Sequence, residues 1–145
     1  MFRLIGVCIL VLVGFTGCGQ KPNPESVIVK NAFMYPPVPG SQVGAIYMVL
    51  ENQTSSPIVV NYIHTTIADR VEVHQHIHED GMMKMRQAKH LKIPAKQKQL
   101  FEPGGYHLMV FDFYEPITAG SRFTLVIEFE GGQRVEAPVD VRPQG

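Results

Sequence analysis

The chain is poor in cysteine and has no tryptophan. Its two cysteines, Cys8 and Cys18, both lie in the first eighteen residues, so the rest of the chain offers no thiol. This excludes a disulfide framework and a thiolate metal ligand from any domain that follows. Electron-transfer sites of the blue-copper type are disfavoured for the same reason, because they need a cysteine thiolate beside two histidines.

The chain also lacks an excess of either charge. Thirteen Lys and Arg balance thirteen Asp and Glu, and no basic stripe interleaved with aromatics is present. The sequence therefore lacks the charge pattern that is typical of nucleic-acid-binding proteins. No Ser/His/Asp or Cys/His arrangement and no Gly-rich phosphate loop is found. The carboxylates beside the histidines are interpreted as turn and solvent-facing residues: Glu72, Glu79 and Asp80. We therefore do not expect an enzyme.

The first residues have the pattern of an export leader. Arg3 supplies a positive region, and Leu4 to Phe15 form an apolar stretch too short to act as a folded membrane anchor. Phe15-Thr16-Gly17-Cys18 resembles the lipobox of bacterial lipoproteins, with Phe in place of the usual Leu. We expect a signal peptide over 1–17, lipidation at Cys18 and a polar tether over 18–26, which would hold the protein at a membrane in the cell envelope, periplasmic or otherwise extracytoplasmic.

Beyond the tether, no window shows a helical stripe with caps. Short runs rich in β-branched residues are separated by Gly, Pro and Asn clusters, which is typical of an all-β protein. We predict one domain over 27–142 with an antiparallel β-sandwich or barrel. The segment from Gln42 to Glu51 is apolar enough for a strand buried on both faces, whereas Leu91 to Pro94 and Lys96 to Phe101 are interpreted as short connecting segments.

Soft metal donors are concentrated between residues 74 and 109. The stretch contains five of the six histidines and four of the seven methionines; apart from His90, the candidate donors are His74, His76, His78, His107, Met82, Met83, Met85 and Met109. In a strand, His107 and Met109 project from the same face because they are two residues apart. With Asp80-Gly81 as a two-residue hairpin turn, His76 lies opposite Met85.

Two imidazoles and two thioethers favour Cu(I). Thioethers are soft and uncharged, and zinc rarely accepts them. A cysteine-free ligand set also suits an oxidising compartment, where a thiol would risk oxidation.

The spacing His74, ten residues, Met85, twenty-one residues, His107, one residue, Met109 resembles the signature of the PCuAC-type periplasmic copper chaperones. The flanking blocks VEVHQHIHEDGMMKMR and FEPGGYHLMVFD are similar to those around that family's ligands. The resemblance implies a cupredoxin-like Greek-key β-sandwich that binds one Cu(I) per chain through His74, Met85, His107 and Met109. It also implies delivery of copper to an acceptor, in several members the CuA domain of cytochrome c oxidase, often alongside a Sco-type thiol protein.

Several alternatives stay open at the level of sequence. Hairpin geometry favours His76 as the ligand opposite Met85, whereas the family spacing favours His74 and leaves His76 as an auxiliary ligand. His64 and His90 are interpreted as non-ligands, Met34 and Met48 as core residues, and Met82 and Met83 fit either packing or exposed surface. A copper-buffering or copper-resistance lipoprotein without a dedicated acceptor would have the same site.

Overall fold

The structure is a computed structural model that describes residues 26–144. The predicted leader, the lipidation site Cys18 and nearly all of the tether lie outside this range. The described residues form ten strands and no helix, and hence no helix able to cross a membrane. The strands are β1 (Val27–Met34), β2 (Val43–Asn52), β3 (Ile58–Thr65), β4 (Ala68–Glu79), β5 (Met82–Gln87), β6 (Lys92–Ile93), β7 (Lys98–Phe101), β8 (Tyr106–Phe113), β9 (Arg122–Phe129) and β10 (Arg134–Val141).

The strands are hydrogen-bonded in the order β5-β4-β8-β7-β2-β1-β10-β9-β3-β6, and β8 also pairs with β2. The predicted all-β fold is therefore confirmed. Most neighbours are antiparallel, but two pairs are parallel: β1 with β10 and β7 with β8. The β1–β10 pair joins the two ends of the domain, with Phe33 opposite Asp140.

A single apolar cluster fills the interior, with Met34, Ile46, Leu50, Leu108 and Val110 fully buried. The prediction that Met34 and Met48 belong to the core is confirmed. In contrast, β2 is not buried on both faces as predicted, because its burial alternates. Ile46, Met48 and Leu50 point inward, and the residues between them are only partly covered. The outer face of β2 thus borders the face that carries the soft donors.

Two segments predicted as connections are strands. Lys92 and Ile93 pair with β3, and Lys98–Phe101 pairs with β2. Their two and four residues are too few to show a hydrophobic period. Asn52 is buried at the end of β2, where its amide donates to the carbonyls of Ile93 and Pro94. This side chain fastens the β6 region to β2.

The hairpin between β4 and β5 has the predicted two-residue turn. Asp80 and Gly81 both have positive φ, at 55° and 74°, as a type I′ turn requires. The register runs without a bulge from the pair Glu79–Met82 to the pair His74–Gln87. His76 consequently lies directly opposite Met85.

Candidate metal site

The site begins with the alternation of β4. Glu72, His74, His76 and His78 occupy alternate positions of this strand and therefore share one face. On one side of β4, β8 places His107 opposite His74 and Met109 opposite Glu72. On the other side, β5 places Met85 opposite His76. Residues directly opposite each other in antiparallel strands point to the same face. The predicted shared face of His107 and Met109 and the predicted His76–Met85 pair are both present.

Four of these donors line one shallow cavity of about 260 Å³. The cavity is completed by the turn before β8 and by two residues of β2; its full lining is Ala45, Tyr47, His76, Met85, Pro103, Gly104, His107 and Met109. The ring centroids of His76 and His107 are 5.0 Å apart. His74 does not line the cavity itself, and its ring centroid lies 6.2 Å from that of His107.

His107 is the most enclosed of the donors, with 3% of its surface exposed. Its Nδ1 lies 3.2 Å from the carbonyl oxygen of Gly105. A carbonyl oxygen can only accept, so Nδ1 carries the proton and the neutral ring keeps a lone pair on Nε2. Burial lowers the pKa of His107, and the backbone hydrogen bond only partly opposes this effect. The ring therefore stays neutral at pH values where an ordinary histidine begins to protonate, and neutral imidazole is the form that binds metal.

His74 is oriented by a carboxylate. Its Nε2 lies 2.8 Å from Oε2 of Glu72, and Oε1 of the same group accepts from Arg70 at 2.7 Å. The hydrogen bond to His74, with a further contribution from Arg70, lowers the pKa of Glu72, so this group is ionised and can only accept. Nε2 of His74 thus carries a proton, and in the neutral ring Nδ1 is the free nitrogen. The interpretation of Glu72 as solvent-facing is wrong, since only 19% of its side chain is exposed.

Two buried side-chain atoms in the described range, 26–144, have no hydrogen-bond partner, and both belong to this site. They are Nδ1 of His74 and Nδ1 of His76. Leaving a buried polar atom unpaired costs about 1–3 kcal/mol, so such atoms call for an explanation. A bond to a metal ion would satisfy both nitrogens.

Nitrogen and oxygen donors alone do not complete a metal site here. Within residues 26–144, no three His, Cys, Asp or Glu side chains are grouped so that they could hold a metal ion. The thioethers of Met85 and Met109 are the additional donors available, and they favour a soft ion over zinc. Met85 is 45% exposed, whereas Met109 is partly covered and lies beside Ala45 of β2.

The remaining soft donors lie outside the cavity. Met82 and Met83 are 59% and 58% exposed, so they belong to the surface and not to the packed interior. His64 and His90 are surface residues that face Glu128 and Glu130, respectively, as expected for non-ligands. The predicted set of His74, Met85, His107 and Met109, with His76 as auxiliary, therefore occupies one continuous face. Which of the two histidines on β4 binds stays a prediction.

Known proteins resemble the chain in sequence and in fold. Residues 27–141 match the family model described as "Putative lipoprotein LpqE-like". The chain belongs to the LpqE-like family. This LpqE-like protein is also 25% identical over 140 residues to "Putative lipoprotein Lxx21020" of Leifsonia xyli, covering 91% of the chain and 84% of the relative.

Solved structures with the same fold are PCuAC domains. The copper-bound PCuAC domain from PmoF2 has a TM-score of 0.67 at 16% identity, covering 81% of the LpqE-like chain and 93% of that domain. The Cu(I) form of DR1885 from Deinococcus radiodurans has a TM-score of 0.67 at 22% identity, with 86% and 83% covered. The apo PCuAC domain from PmoF1 has a TM-score of 0.69 at 15% identity, with 85% and 98% covered. The predicted PCuAC-type relationship and the cupredoxin-like fold are thereby confirmed.

Sequence reasoning missed three contributors to the site of the LpqE-like protein. Glu72 orients His74, Gly105 fixes the tautomer of His107, and Tyr47 closes the cavity from β2. The role of Glu72 could have been predicted, because the alternation of β4 puts it on the same face as His74, two residues away. Gly105 is only two residues from His107, but its carbonyl is aimed by the turn that precedes β8, whereas Tyr47 comes from β2, which is remote in sequence.

Proposed function

We propose that this LpqE-like protein is a Cu(I)-binding metallochaperone of the cell envelope that binds one Cu(I) per chain and transfers it without catalysing bond chemistry. The main observation in support is that two buried imidazole nitrogens, Nδ1 of His74 and Nδ1 of His76, lack a hydrogen-bond partner. They lie on the same sheet face as the thioethers of Met85 and Met109. Copper is the cargo of this site. The copper-bound relatives with the same fold support the choice of metal.

The proposed ligands are His74, Met85, His107 and Met109. Ligating histidines almost always donate their second ring N–H to a carboxylate or a carbonyl, and His74 and His107 each do so. His76 lines the cavity and is proposed as an auxiliary donor that binds when one of the others has been released. This exchange among neighbouring donors would suit hand-over, since a partner can replace one ligand at a time.

We further propose that the protein is exported, lipidated at Cys18 and held at a membrane. The lipoprotein descriptions of its family and of its relative from Leifsonia xyli support this placement. The proposed acceptor is a CuA domain of cytochrome c oxidase, by analogy with the PCuAC-type chaperones, with a Sco-type thiol protein as a further partner.

The binding test is competition for Cu(I) against a chromogenic chelator under reducing conditions, with the full-length protein in detergent. The parent should bind one tight equivalent, and Met85→Leu or Met109→Leu should lose it. Met82→Leu is the matched control, because Met82 is exposed and on the opposite face of the hairpin. Unchanged binding in a variant that combines Met85→Leu and Met109→Leu would refute the site.

The transfer test separates a chaperone from a copper buffer. The loaded protein is mixed with a soluble apo CuA domain, the two proteins are separated, and the copper bound to the acceptor is measured. A chaperone should load the acceptor faster than an equal concentration of the Cu(I)–chelator complex does. Tight binding without faster loading would favour the buffer.

A further inference from the structure

The row of soft donors continues past the cavity to the tip of the β4–β5 hairpin. His78 lies directly opposite Met83. This pair is on the same face as His76 and Met85 and two residues nearer the turn along each strand. Both residues are exposed, whereas His107 in the cavity is buried. The hairpin thus presents two successive imidazole–thioether pairs, an inner pair at the cavity and an outer pair at the tip.

The charged side chains of the hairpin are kept on its other face. Lys84 and Arg86 alternate with Met83 and Met85 along β5, and both bond to Glu79 of β4. Since the pleat separates alternate residues, these ion pairs lie behind the strands, away from the soft donors. Between His74 and Gln87, the donor face carries no Lys or Arg that would repel a cation and no carboxylate that would favour a hard one.

We propose that His78 and Met83 form a second, weaker and solvent-exposed binding position for a soft monovalent cation, through which Cu(I) enters and leaves the cavity. This inference rests on the proposed function and extends it. An imidazole and a thioether select Cu(I) over divalent ions that prefer nitrogen and oxygen. Directly opposite Cβ atoms in such a pair are about 5 Å apart, a span that the two side chains can bridge with one ion.

The distance to the cavity suits ligand exchange. Successive pairs on one face are two residues apart along the strand, or about 7 Å at a rise of about 3.4 Å per residue. The long, flexible side chain of Met85 is diagonal to His78 and can reach toward either position. An ion at the tip can therefore gain Met85 as a third ligand before it loses Met83, without being released to solvent.

Silver provides a test without redox chemistry, because Ag(I) is a soft monovalent probe. The full-length protein in detergent, labelled with ¹³C at the methionine methyls, is titrated with Ag(I) and followed by NMR. Met85 and Met109 should shift with the first equivalent and Met83 with the second, while Met82 stays in place. Met82 is the matched control, since it has the same exposure, 59% against 58%, on the opposite face.

The variant His78→Ala isolates the outer pair. It should abolish the second response at Met83 and slow the loading of the cavity from a Cu(I)–chelator complex several-fold, with no change in equilibrium affinity for the first ion. If His78 only stabilised the hairpin, its removal would not slow Cu(I) loading while leaving the affinity for the first ion unchanged.

The possible failures are distinguishable. If Met82 and Met83 shift together, Ag(I) binds any exposed thioether and the outer site is refuted. It is equally refuted if Met83 does not shift or if His78→Ala leaves both response and rate unchanged. If Met85 and Met109 do not respond to the first equivalent, the proposed function fails, whatever Met83 does.

Discussion

His74 and His107 face each other across the β4–β8 ladder with their ring centroids 6.2 Å apart, and each has one ring nitrogen bonded to a neighbouring oxygen. The oxygen belongs to the Glu72 carboxylate for His74 and to the Gly105 carbonyl for His107. Fixing one nitrogen of each ring determines which nitrogen is free to bind a metal. Both rings therefore make the hydrogen bond, to a carboxylate or a carbonyl, that metal-ligating histidines usually make through their second nitrogen.

The choice between the two β4 histidines is open to direct measurement. We expect His74→Ala to weaken Cu(I) binding by more than about 100-fold, beyond the range typical of changes to residues that only support a ligand. His76→Ala should have a smaller effect on affinity, because its role is auxiliary. Competition against a chromogenic Cu(I) chelator measures both. The opposite ranking would make His76 the ligand, as its position in the cavity favours.

Glu72 should act through His74. Glu72→Ala removes the acceptor that orients the ring, and we expect Cu(I) affinity to fall by about 10–100-fold. Glu79→Ala is the matched control, because Glu79 also bonds to two side chains but on the other face of the hairpin. It should leave the affinity unchanged. Equal losses in the two variants would mean that general destabilisation, and not ligand orientation, is responsible.

The buried His107 should make stability depend on pH. Its pKa is lowered in the folded protein, so in the unfolded chain the ring protonates first as pH falls through about 6.5. The unfolded state then binds more protons, and stability decreases until the pH reaches the folded pKa, below which the loss is complete. In the metal-free protein, urea unfolding at about pH 7.5 and about pH 5.5 should show this loss.

His107→Gln isolates this contribution, since it removes the titrating ring. Its loss of stability over the same interval should be smaller than that of the parent. His90→Gln, at an exposed position with 73% of the side chain accessible, should keep the parent's pH dependence. A parent slope that persists unchanged in His107→Gln would assign the effect to other groups.

The hairpin turn should control the site through its register. Gly81 has a φ of 74°, and an alanine there is strained by about 1–2 kcal/mol. We expect Gly81→Ala to lower both stability and Cu(I) affinity, because relief of the strain shifts Met85 away from His76. Gly132→Ala, with a φ of 87° in the β9–β10 turn and the same open surroundings, should lower stability alone. Equal Cu(I) affinities in the two variants would contradict this account.

The local features of the site could be predicted from the sequence, and the non-local ones could not. Asp80-Gly81 and the alternation of β4 were enough to pair His76 with Met85, because a two-residue turn fixes the register of both strands. The spacing of His107 and Met109 was enough to put them on one face. The parallel β1–β10 pair, by contrast, joins Phe33 to Asp140, and no turn chemistry specifies such a distant partner.

The burial of individual polar side chains was also not predicted from the sequence. Asn52 and Glu72 are both polar residues that the structure covers, and Glu72 was interpreted as solvent-facing. Asn52 is buried because β6 and its following residues supply carbonyl acceptors. Glu72 is covered because the Arg70 guanidinium pairs with one of its oxygens and the His74 ring donates a hydrogen bond to the other. The partners of Asn52 become visible only when the strands are assembled, whereas those of Glu72 lie two residues away on its own strand.

The exposure of Met85 makes the site vulnerable to peroxide. Its thioether is 45% exposed, whereas His107 is almost completely enclosed. Conversion of Met85 to the sulfoxide would replace a soft sulfur donor with a polar, hard oxygen. Loss of this thioether would weaken binding of the ion, and reduction of the sulfoxide would restore it. Copper retention by the site would in that way decrease with oxidation of Met85, the more exposed of its two thioethers.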